Sequence, residues 1–502
     1  MSLKDSAKYI LSIDAGTSGV TVMLLDRAAR KLSSAYSEIE QLYPQPGWVE
    51  HDPDELRRVV FSLMQRACGS VTPAQIAAIG LTNQRETTVL WDRKTGTPVH
   101  NAIVWQCRRT QHLCQEIERA GFGPKVHACT GLRLDAYFSA TKISWLLSQS
   151  PELRKRAENG ELAFGTVDSW LLWNLTGGKA HVTDVTNASR TLLFNIDTRQ
   201  WDEDLLRIFD IPAAILPEVK ESACYFGDCI ASVLGGQIPI HGVAGDQQAA
   251  LFGHGCIRPG ESKNTYGTGC FLLVNTGHER RDSSAGLLTT LACGPNGEPV
   301  YALEGSIFCA GSAVQWLRDG LGIIRKPEET EEMAISVQDT GGVYLVPAFA
   351  GLGAPYWNMA ARGAIFGLTR GTTKAHLARA TLESIAYQVN DLVEITTREV
   401  GLNVDVLKVD GGASANQFLM QFQADVLGVP VQVPENIEVT ALGAAFLAGI
   451  SCGLWPNAEV LESLRRVRRT YKPAMPPAKR AMLLDGWRAA VDAVLNQRHH
   501  GE

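Results

Sequence analysis

The chain has no long hydrophobic run. Across its 502 residues, no apolar stretch reaches the length of about 18 residues that a membrane-spanning helix needs. Its first residues, MSLKDSAKYIL, have no extended apolar region of the kind found in a secretory signal peptide. We therefore expect a cytoplasmic protein without a membrane span.

Cysteine pairs at metal-ligand spacing are also missing, and basic residues are not in excess. The 11 cysteines are scattered without a CxxC pair, which is typical of free thiols in a reducing compartment. The chain has 47 Lys and Arg residues and 53 Asp and Glu residues, so its net charge is -6. Because a general nucleic-acid binder needs a basic face, no nucleic-acid partner is expected.

Four familiar catalytic motifs are absent as well, namely GxxxxGK[ST], GxGxxG after a strand, HExxH and GxSxG. Their absence disfavours P-loop kinases, Rossmann dehydrogenases, zincins and serine hydrolases. The composition, 45% hydrophobic and 20% charged, is that of an ordinary globular protein. The length predicts two domains rather than one core.

The chain does contain a strand-turn-strand pattern that occurs twice. The first copy spans residues 10–26 with a small-residue turn at 15–19, and the second spans 263–275 with a turn at 267–269. Glycines in these turns tolerate dihedrals closed to other residues and leave no Cβ in the way, so each turn can present several backbone N–H groups to one anion. Asp14, just before the first turn, could attract Mg²⁺. An ordinary Gly-rich hairpin would explain one copy. Two copies, half a chain apart, predict a nucleotide held between two similar domains.

Polar residues follow two predicted buried strands. Residues 83–86, Asn-Gln-Arg-Glu, come after the strand at 76–81, and Asp246 follows a strand that ends at Ala244. Ligands bind at the carboxyl ends of strands in α/β sheets, so these side chains are predicted to face a cleft. Two simpler interpretations stay open here: a solvated turn with a weak surface Arg–Glu pair, and a helix cap at Asp246.

Further elements are predicted from periodicity and capping residues. They are a helix at 53–68, a strand that leads into a helix over 166–173 with Asp168 as the N-cap, a strand at 341–349, a helix at 376–400, a strand at 404–409, a helix at 416–427, a small-residue helix from 440 and a C-terminal helix at 479–497 followed by a His499-His500 tail.

Taken together, these stretches resemble the FGGY carbohydrate kinases, within the actin-like, Hsp70-like and hexokinase-like ATPase fold, over nearly the whole chain. The motifs that carry the resemblance are NQRETT at 83–88, VWQCRRT at 104–110, GDQQAALFG at 245–253, NTYGTGCF at 264–271, and DGGA at 410–413 with Asn416. The resemblance implies an α/β fold of two ribonuclease H-like domains, 1–254 and 255–502, flanking a nucleotide and substrate cleft.

The resemblance also implies ATP-dependent phosphorylation of glycerol to sn-glycerol 3-phosphate by a homodimer or homotetramer. Glycerol would be bound by Arg85, Glu86, Trp105, Tyr137, Asp246, Gln247 and Phe271. ATP would be bound by Thr17, Ser18, Gly19, Thr268, Gly311, Gln315, Gly412 and Asn416, and Asp14 would support Mg²⁺ through water. Asp246 would orient the attacking hydroxyl and accept its proton late, because a carboxylate with a pKa of about 4 is too weak a base to ionise an alcohol beforehand.

Two departures from the family pattern carry expectations of their own. Ala15 and Thr21 stand where many relatives that act on glycerol have Gln and Arg, which puts one side-chain contact to a nucleotide phosphate in doubt. Residues 235–237, Gly-Gly-Gln, lack the basic residues of the loop that binds fructose 1,6-bisphosphate in regulated bacterial relatives. We expect inhibition by that compound to be weak or absent.

Three rival functions remain at this stage. A kinase for another polyol or ketose is disfavoured by Arg85, Glu86 and Trp105. An actin-like or Hsp70-like ATPase that moves or binds protein is disfavoured by the DQQAALFG segment. A catalytically dead scaffold is disfavoured because every expected catalytic position is filled.

Overall fold

Two mixed β-sheets, one of six strands and one of seven, organise the chain in this computed structural model, which describes residues 7–497. The strands are β1 Tyr9–Ala15, β2 Gly19–Leu25, β3 Lys31–Glu38, β4 Glu50–His51, β5 Ile76–Asn83, β6 Val89–Asp92, β7 Ala102–Ile103, β8 Leu162–Gly165, β9 Val182–Asp184, β10 Phe194–Asn195, β11 Gln200–Trp201, β12 Glu218–Lys220, β13 Gly227–Cys229, β14 Ile238–Gly245, β15 Ser262–Tyr266, β16 Cys270–Gly277, β17 Leu288–Cys293, β18 Pro299–Ile307, β19 Tyr344–Val346, β20 Ala364–Phe366, β21 Leu407–Asp410, β22 Val431–Pro434 and β23 Val467–Tyr471.

Helices cover both sheets. They are α1 Pro53–Cys68, α2 Gln111–Arg119, α3 Gly123–Thr130, α4 Ser139–Ser148, α5 Pro151–Glu158, α6 Val167–Leu175, α7 Val185–Ala188, α8 Glu203–Ile208, α9 Ala231–Leu234, α10 Asp246–Gly253, α11 Gly311–Asp319, α12 Glu329–Ile335, α13 Lys374–Val400, α14 Gln417–Leu427, α15 Val439–Ser451, α16 Glu459–Leu464 and α17 Pro477–Leu495. Short 3₁₀ turns occupy Pro73–Gln75, Ala213–Ile215 and Gly412–Ala415.

The two sheets share one plan. The first has the strand order β13-β14-β5-β1-β2-β3, in which β1, β2 and β3 are antiparallel neighbours and β5 runs parallel to β1 and β14. The second has the order β17-β18-β16-β15-β21-β22-β23, in which β15, β16 and β18 are antiparallel and β21 runs parallel to β15 and β22. Each sheet therefore continues an antiparallel hairpin with parallel strands. This arrangement confirms the predicted α/β fold of two similar lobes.

Both predicted hairpins are present, but their glycines serve a different purpose from the one expected. None of the turn glycines has a positive φ, so the expectation of unusual dihedrals was wrong. The constraint is space: a Cβ on Gly19 would lie 2.6 Å from Tyr36 Oη, and one on Gly269 would clash with the backbone oxygen of Ile307. These glycines allow neighbouring strands to approach the turns closely.

Helix α1 matches its prediction and covers β1 to β3. It begins after Asp52, whose side chain accepts a hydrogen bond from the Asp54 backbone N–H at 2.8 Å, and Pro53 occupies the first helical position. Proline fits there because the first helical N–H has no partner within the helix. Apolar residues of α1, including Leu56 and Val60, are buried against the sheet.

Helix α15 comes from the second half of the chain but packs on the first sheet. Ser12 Oγ on β1 donates to the Ala441 backbone oxygen at 2.6 Å. A Cβ on Gly80 of β5 would clash with the α15 backbone, and one on Gly443 of α15 would clash with the Ala249 backbone on α10. The small-residue helix predicted from residue 440 is therefore confirmed, and it joins the two lobes through α10.

Some predicted elements were wrong in extent or detail. The strand expected at 341–349 shrinks to β19, because Gly341 and Gly342 turn the chain at positive φ and Pro347 has no N–H for a ladder. Thr166, not Asp168, is the residue that precedes α6, and the buried Asp168 carboxylate instead accepts from Thr183 Oγ1 at 2.6 Å. The His499-His500 tail lies outside the described residues.

The described part of the chain contains no disulfide, and all eleven cysteines are free thiols. Within residues 7–497, no helix is both long and apolar enough to cross a membrane.

Candidate active site

The ends of two neighbouring parallel strands bring the first predicted site residues together. β5 and β14 pair so that Asn83 lies opposite Gly245, and the chain continues from them into Arg85 and Asp246. Arg85 Nε lies 3.3 Å from Asp246 Oδ1. Asp246 is the first residue of α10, its Oδ1 accepts from the Gln247 backbone N–H at 2.7 Å, and Gly245 takes the N-cap position. The helix-cap interpretation of Asp246 is therefore not supported.

Arg85 and Glu86 belong to a buried ionic network. Arg85 is 3% exposed and Glu86 1%, so the alternative of a solvated surface pair was wrong. Arg85 Nη1 donates to Glu304 Oε2 at 2.5 Å. Arg190 Nε donates to Glu86 Oε1 at 2.7 Å, and its Nη2 donates to Glu304 Oε1 at 2.9 Å. Two arginines and two glutamates thus fix each other's side-chain positions next to Asp246.

The sequence interpretation assigned no role to Arg190 or Glu304. One signal was available, because Glu304 is a single charge inside the apolar strand β18 and Arg190 precedes an apolar run. Buried charges need partners, so such isolated charges predict an ion pair. Because Arg190 and Glu304 are 114 residues apart in the chain, the sequence does not show that they pair with each other.

Burial and the neighbouring charges of this network shift the pKa values of its carboxyl groups. Burial raises the pKa of Glu304, but the guanidiniums of Arg190 and Arg85 outweigh it and lower the pKa to about 2. At Asp246, burial raises the pKa above its ordinary value, and Arg85 and Lys263 offset only part of that rise. Since a carboxylate with a raised pKa is a stronger base, Asp246 is suited to accept a proton.

Three predicted aromatic residues line the same place. The Trp105 ring lies 5.4 Å from the Tyr137 ring and 6.3 Å from the Phe271 ring, both edge-on. Tyr137 Oη accepts from Arg85 Nη2 at 3.3 Å. An apolar wall therefore stands beside the charged groups.

Gln247, which was also predicted to bind the substrate, contacts Lys263 instead of the aromatic residues. Its side chain is 8% exposed, and its Oε1 accepts from Lys263 Nζ rather than from a residue of the aromatic wall. Lys263 was not predicted as a site residue. Its Nζ also donates to Thr265 Oγ1 at 2.8 Å, and burial lowers its pKa to about 8 although Asp410 and Asp246 raise it.

The first hairpin turn touches the aromatic wall directly. Trp105 Nε1 donates to Thr17 Oγ1 at 2.9 Å. Ser18 is exposed, and Gly19 begins β2 at the other end of the turn. The predicted phosphate turn and the predicted substrate residues are thus joined by one hydrogen bond.

Two other segments of the second lobe abut its hairpin. The Gly311 N–H donates to the Gly267 oxygen at 3.0 Å, so the start of α11 abuts this turn, and Thr268 is exposed beside it. β21 runs beside β15, and a Cβ on Gly411 at its end would clash with the Tyr266 backbone. The next residue, Gly412, has open space where a Cβ would stand.

The remaining two residues predicted for ATP lie on helices next to these loops. Gln315 is exposed on α11, one turn after Gly311. Asn416 caps α14, where its Oδ1 accepts from the Leu419 N–H at 2.9 Å and its Nδ2 donates to Thr330 Oγ1 at 3.3 Å. The protein itself therefore already engages both groups of the Asn416 amide.

Comparison with known families assigns both lobes. Residues 9–253 match the N-terminal domain of the FGGY family of carbohydrate kinases, and residues 262–452 match its C-terminal domain. The chain belongs to the FGGY carbohydrate kinases.

Individual FGGY kinases are similar over nearly the whole chain. It is 54% identical over 490 residues to glycerol kinase 2 of Thermotoga maritima, covering 97% of this chain and 99% of that protein. It is 55% identical to the glycerol kinase of Carboxydothermus hydrogenoformans, covering 96% and 97%. Among solved structures, Plasmodium falciparum glycerol kinase with ADP superposes with a TM-score of 0.91 at 40% identity, covering 98% of this chain and 99% of that one.

A kinase of the FGGY family uses ATP, and one acidic residue beside the first turn has a charge environment that would favour a divalent cation. The pKa of Asp14, at the end of β1, is raised well above its ordinary value by burial and by the charges of Asp246, Glu438 and Asp410. A divalent cation would relieve this repulsion, and carboxylates are the ligands that Mg²⁺ prefers. Within the described residues no three acidic, His or Cys side chains could hold a metal by themselves. The ion would therefore need water and phosphate oxygens as well.

Proposed function

We propose that this FGGY kinase transfers the γ-phosphoryl group of ATP to glycerol, giving ADP and sn-glycerol 3-phosphate. The observation that carries the proposal is the pair formed by Asp246 and Arg85, 3.3 Å apart beside the Trp105–Tyr137–Phe271 wall. The glycerol kinases that are more than 50% identical over nearly the full length support it.

Glycerol has three hydroxyls and little apolar surface, so a selective site must offer it polar partners. Arg85 supplies donors, and the carboxylates of Glu86 and Asp246 supply acceptors. A ligand without matching hydroxyls would leave these groups unpaired, which costs far more than a missing apolar contact. Trp105 and Phe271 would pack on the carbon chain, Tyr137 would add a hydroxyl, and Gln247 would lie at the edge of the site.

The transfer needs alignment and one proton acceptor. The terminal oxygen of glycerol forms a bond to the γ-phosphorus while the bond from that phosphorus to ADP breaks, and its electron pair leaves with ADP. Asp246 orients the hydroxyl and takes its proton late in the reaction. The side chain of Asp246 keeps 26% exposure whereas that of Glu304 is fully enclosed, so a substrate can reach the Asp246 carboxylate but not the Glu304 carboxylate.

The phosphates and the nucleoside would be held mainly by backbone. Phosphate contacts are assigned to Thr17, Ser18, Gly19 and Thr268, and nucleoside contacts to Gly311, Gln315, Gly412 and Asn416. When bound, Mg²⁺ would neutralise phosphate charge, with Asp14 holding it through water.

A coupled assay of ADP release tests the proposal. We expect ATP turnover that depends on added glycerol and falls sharply when other polyols or ketoses replace it. A higher kcat/KM with another polyol would reassign the substrate, and turnover independent of any alcohol would indicate a general ATPase. Sedimentation of the same sample tests the proposed homodimer or homotetramer.

A further inference from the structure

A separate cavity of about 310 Å³ lies at the far end of α10 from Asp246. Gly253 and His254 at the end of α10 line it, together with the start of α15, the turn between β2 and β3, the end of β22 with the residues after it, and the segment just before β23. Since α10 has eight residues, its two ends are about 12 Å apart. The cavity therefore lies at the junction of the lobes, about one helix length from Asp246.

The lining of this junction cavity is strongly basic in a protein with net charge -6. Four of its side chains are cationic and one, Glu435, is acidic; the cations are Arg30, Lys31, Arg465 and Arg466. Arg30 is paired with Asp26 at 2.7 Å, and Arg466 lies 4.0 Å from Glu435. Within residues 7–497, Lys31 and Arg465 form no ion pair with a carboxylate, so they are the cations left for a ligand.

Two buried nitrogen atoms of the lining lack partners in the described part of the chain. His254 is fully buried, and its Nε2 bonds Asp410 Oδ2 at 2.8 Å, but its Nδ1 makes no hydrogen bond. Arg465 donates from Nη2 to Gln432 Oε1 at 3.1 Å, while its buried Nε makes none. Buried polar atoms normally have partners, because leaving one unpaired is destabilising.

The two nitrogens call for opposite partners. Arg465 Nε–H is a donor and suits an anion. His254 is neutral, since burial lowers its pKa, and its Nε2–H donates to the Asp410 carboxylate. Its Nδ1 is then an acceptor that needs a hydroxyl. A bare anion satisfies only the first atom, whereas a hydroxyl-bearing anion satisfies both.

We propose that the junction cavity binds a small phosphate monoester that carries free hydroxyls, with its phosphate on Lys31 and Arg465 and a hydroxyl donating to His254 Nδ1. This proposal goes beyond the proposed function, and it does not depend on which alcohol the active site phosphorylates. It is also linked to the nucleotide loops, because Asp410, the partner of His254, directly precedes Gly411 and Gly412.

Isothermal titration with glycerol 3-phosphate as the probe tests this site, with the active site filled by glycerol and a non-hydrolysable ATP analogue. We expect wild-type protein to bind the probe and Arg465→Gln to bind it at least about tenfold more weakly, the scale for losing one charge-assisted hydrogen bond. Arg468→Gln is the matched control, because this exposed arginine on β23 does not line the cavity and its loss should leave binding unchanged. The steady-state turnover of both variants should equal that of wild type.

Equal affinity of wild type and Arg465→Gln would overturn the proposal, as would sulfate, an anion without a hydroxyl, binding as tightly as glycerol 3-phosphate. Thermal melting of Arg465→Gln checks its folding. If that variant does not fold, Lys31→Gln on the exposed start of β3 provides the same comparison. A failure of the proposed function would appear separately, as absent glycerol-dependent turnover in unmodified protein.

Discussion

Arg190 Nε lies 2.7 Å from Glu86 Oε1, and both side chains are almost completely buried. Glu86 has a φ of 59°, a left-handed conformation that is costly for a residue with a side chain. The bond from Arg190 therefore fixes a carboxylate whose backbone is already in a rare state. Through Glu304, the same guanidinium also holds Arg85. Arg190 is thus a positioning residue for the proposed glycerol site.

Arg190→Lys should raise the KM for glycerol while the KM for ATP stays near wild type. Lysine keeps the charge but cannot hold Glu86 and Glu304 with two fixed bonds. Arg190→Met should also destabilise the fold by about 3–5 kcal/mol, because it leaves the buried Glu86 carboxylate without its hydrogen-bonded partner and removes one of the two arginines that hold Glu304. Initial rates and denaturant unfolding measure the two effects.

Arg154 provides the control for this prediction. It also bridges two acids, Glu158 and Asp210, each at 2.7 Å, but on the surface. Arg154→Met should cost no more than about 1 kcal/mol and leave both KM values unchanged. Similar losses in Arg154→Met and Arg190→Met would contradict the role given to the buried network.

The parts of the fold that sequence predicted are those set by local pattern. Both hairpins, α1 and the long helix α13 follow from runs of apolar residues, capping residues and turn glycines close together in the chain. The grouping of Arg85 with Asp246 also followed, since both come after buried parallel strands. The domain limits near residue 254 and the weak response to fructose 1,6-bisphosphate stay predictions.

The parts that sequence missed depend on contacts between distant segments. Arg190, Glu304 and Lys263 become functional candidates only when β18 and β15 are placed beside the end of β5. Likewise, Gly19 looked like a residue chosen for its dihedrals, whereas Tyr36 of the neighbouring strand is what excludes a Cβ there. No pattern in the residues around Gly19 predicts that Tyr36 lies next to it.

Asp246→Asn should fold normally and bind ATP, but turn over at least about 10²-fold more slowly, the scale for a positioned proton acceptor. The amide can still accept a hydrogen bond from the substrate hydroxyl but cannot take its proton. Rates from the coupled assay and nucleotide affinity from calorimetry measure both properties. Near-normal turnover in this variant would exclude Asp246 as the acceptor.

Trp105 and Thr17 should be energetically coupled in catalysis, because the 2.9 Å hydrogen bond between them joins the substrate wall to the phosphate turn. Trp105→Phe and Thr17→Val should each lower kcat/KM, and the double variant should lose less than the sum. We expect a coupling free energy of about 0.5–1.5 kcal/mol from a double-mutant cycle. Additive losses would show that the bond does not contribute to turnover.

Asp391 should make stability depend on pH. Its buried Oδ2 accepts from Trp487 Nε1 at 2.8 Å and from Tyr356 Oη at 2.9 Å. Burial nevertheless raises its pKa to about 7. In the unfolded chain its pKa is about 3.9, so between these values the folded state holds the extra proton. Raising the pH through this window therefore removes the stability that protonated Asp391 contributes to the wild-type fold. That contribution is completely lost above pH 7.

Asparagine at this position cannot titrate, so the stability of Asp391→Asn relative to wild type should rise from about pH 4 to pH 7 and then level off. The slope of this difference should approach about 1.4 kcal/mol per pH unit. Buried His51 and partly buried His181, with pKa values of about 4, impose the opposite trend on both proteins, and the subtraction removes it. Urea unfolding of the two proteins at several pH values measures the difference. Parallel curves for wild type and variant would show that Asp391 titrates alike in the folded and unfolded chains.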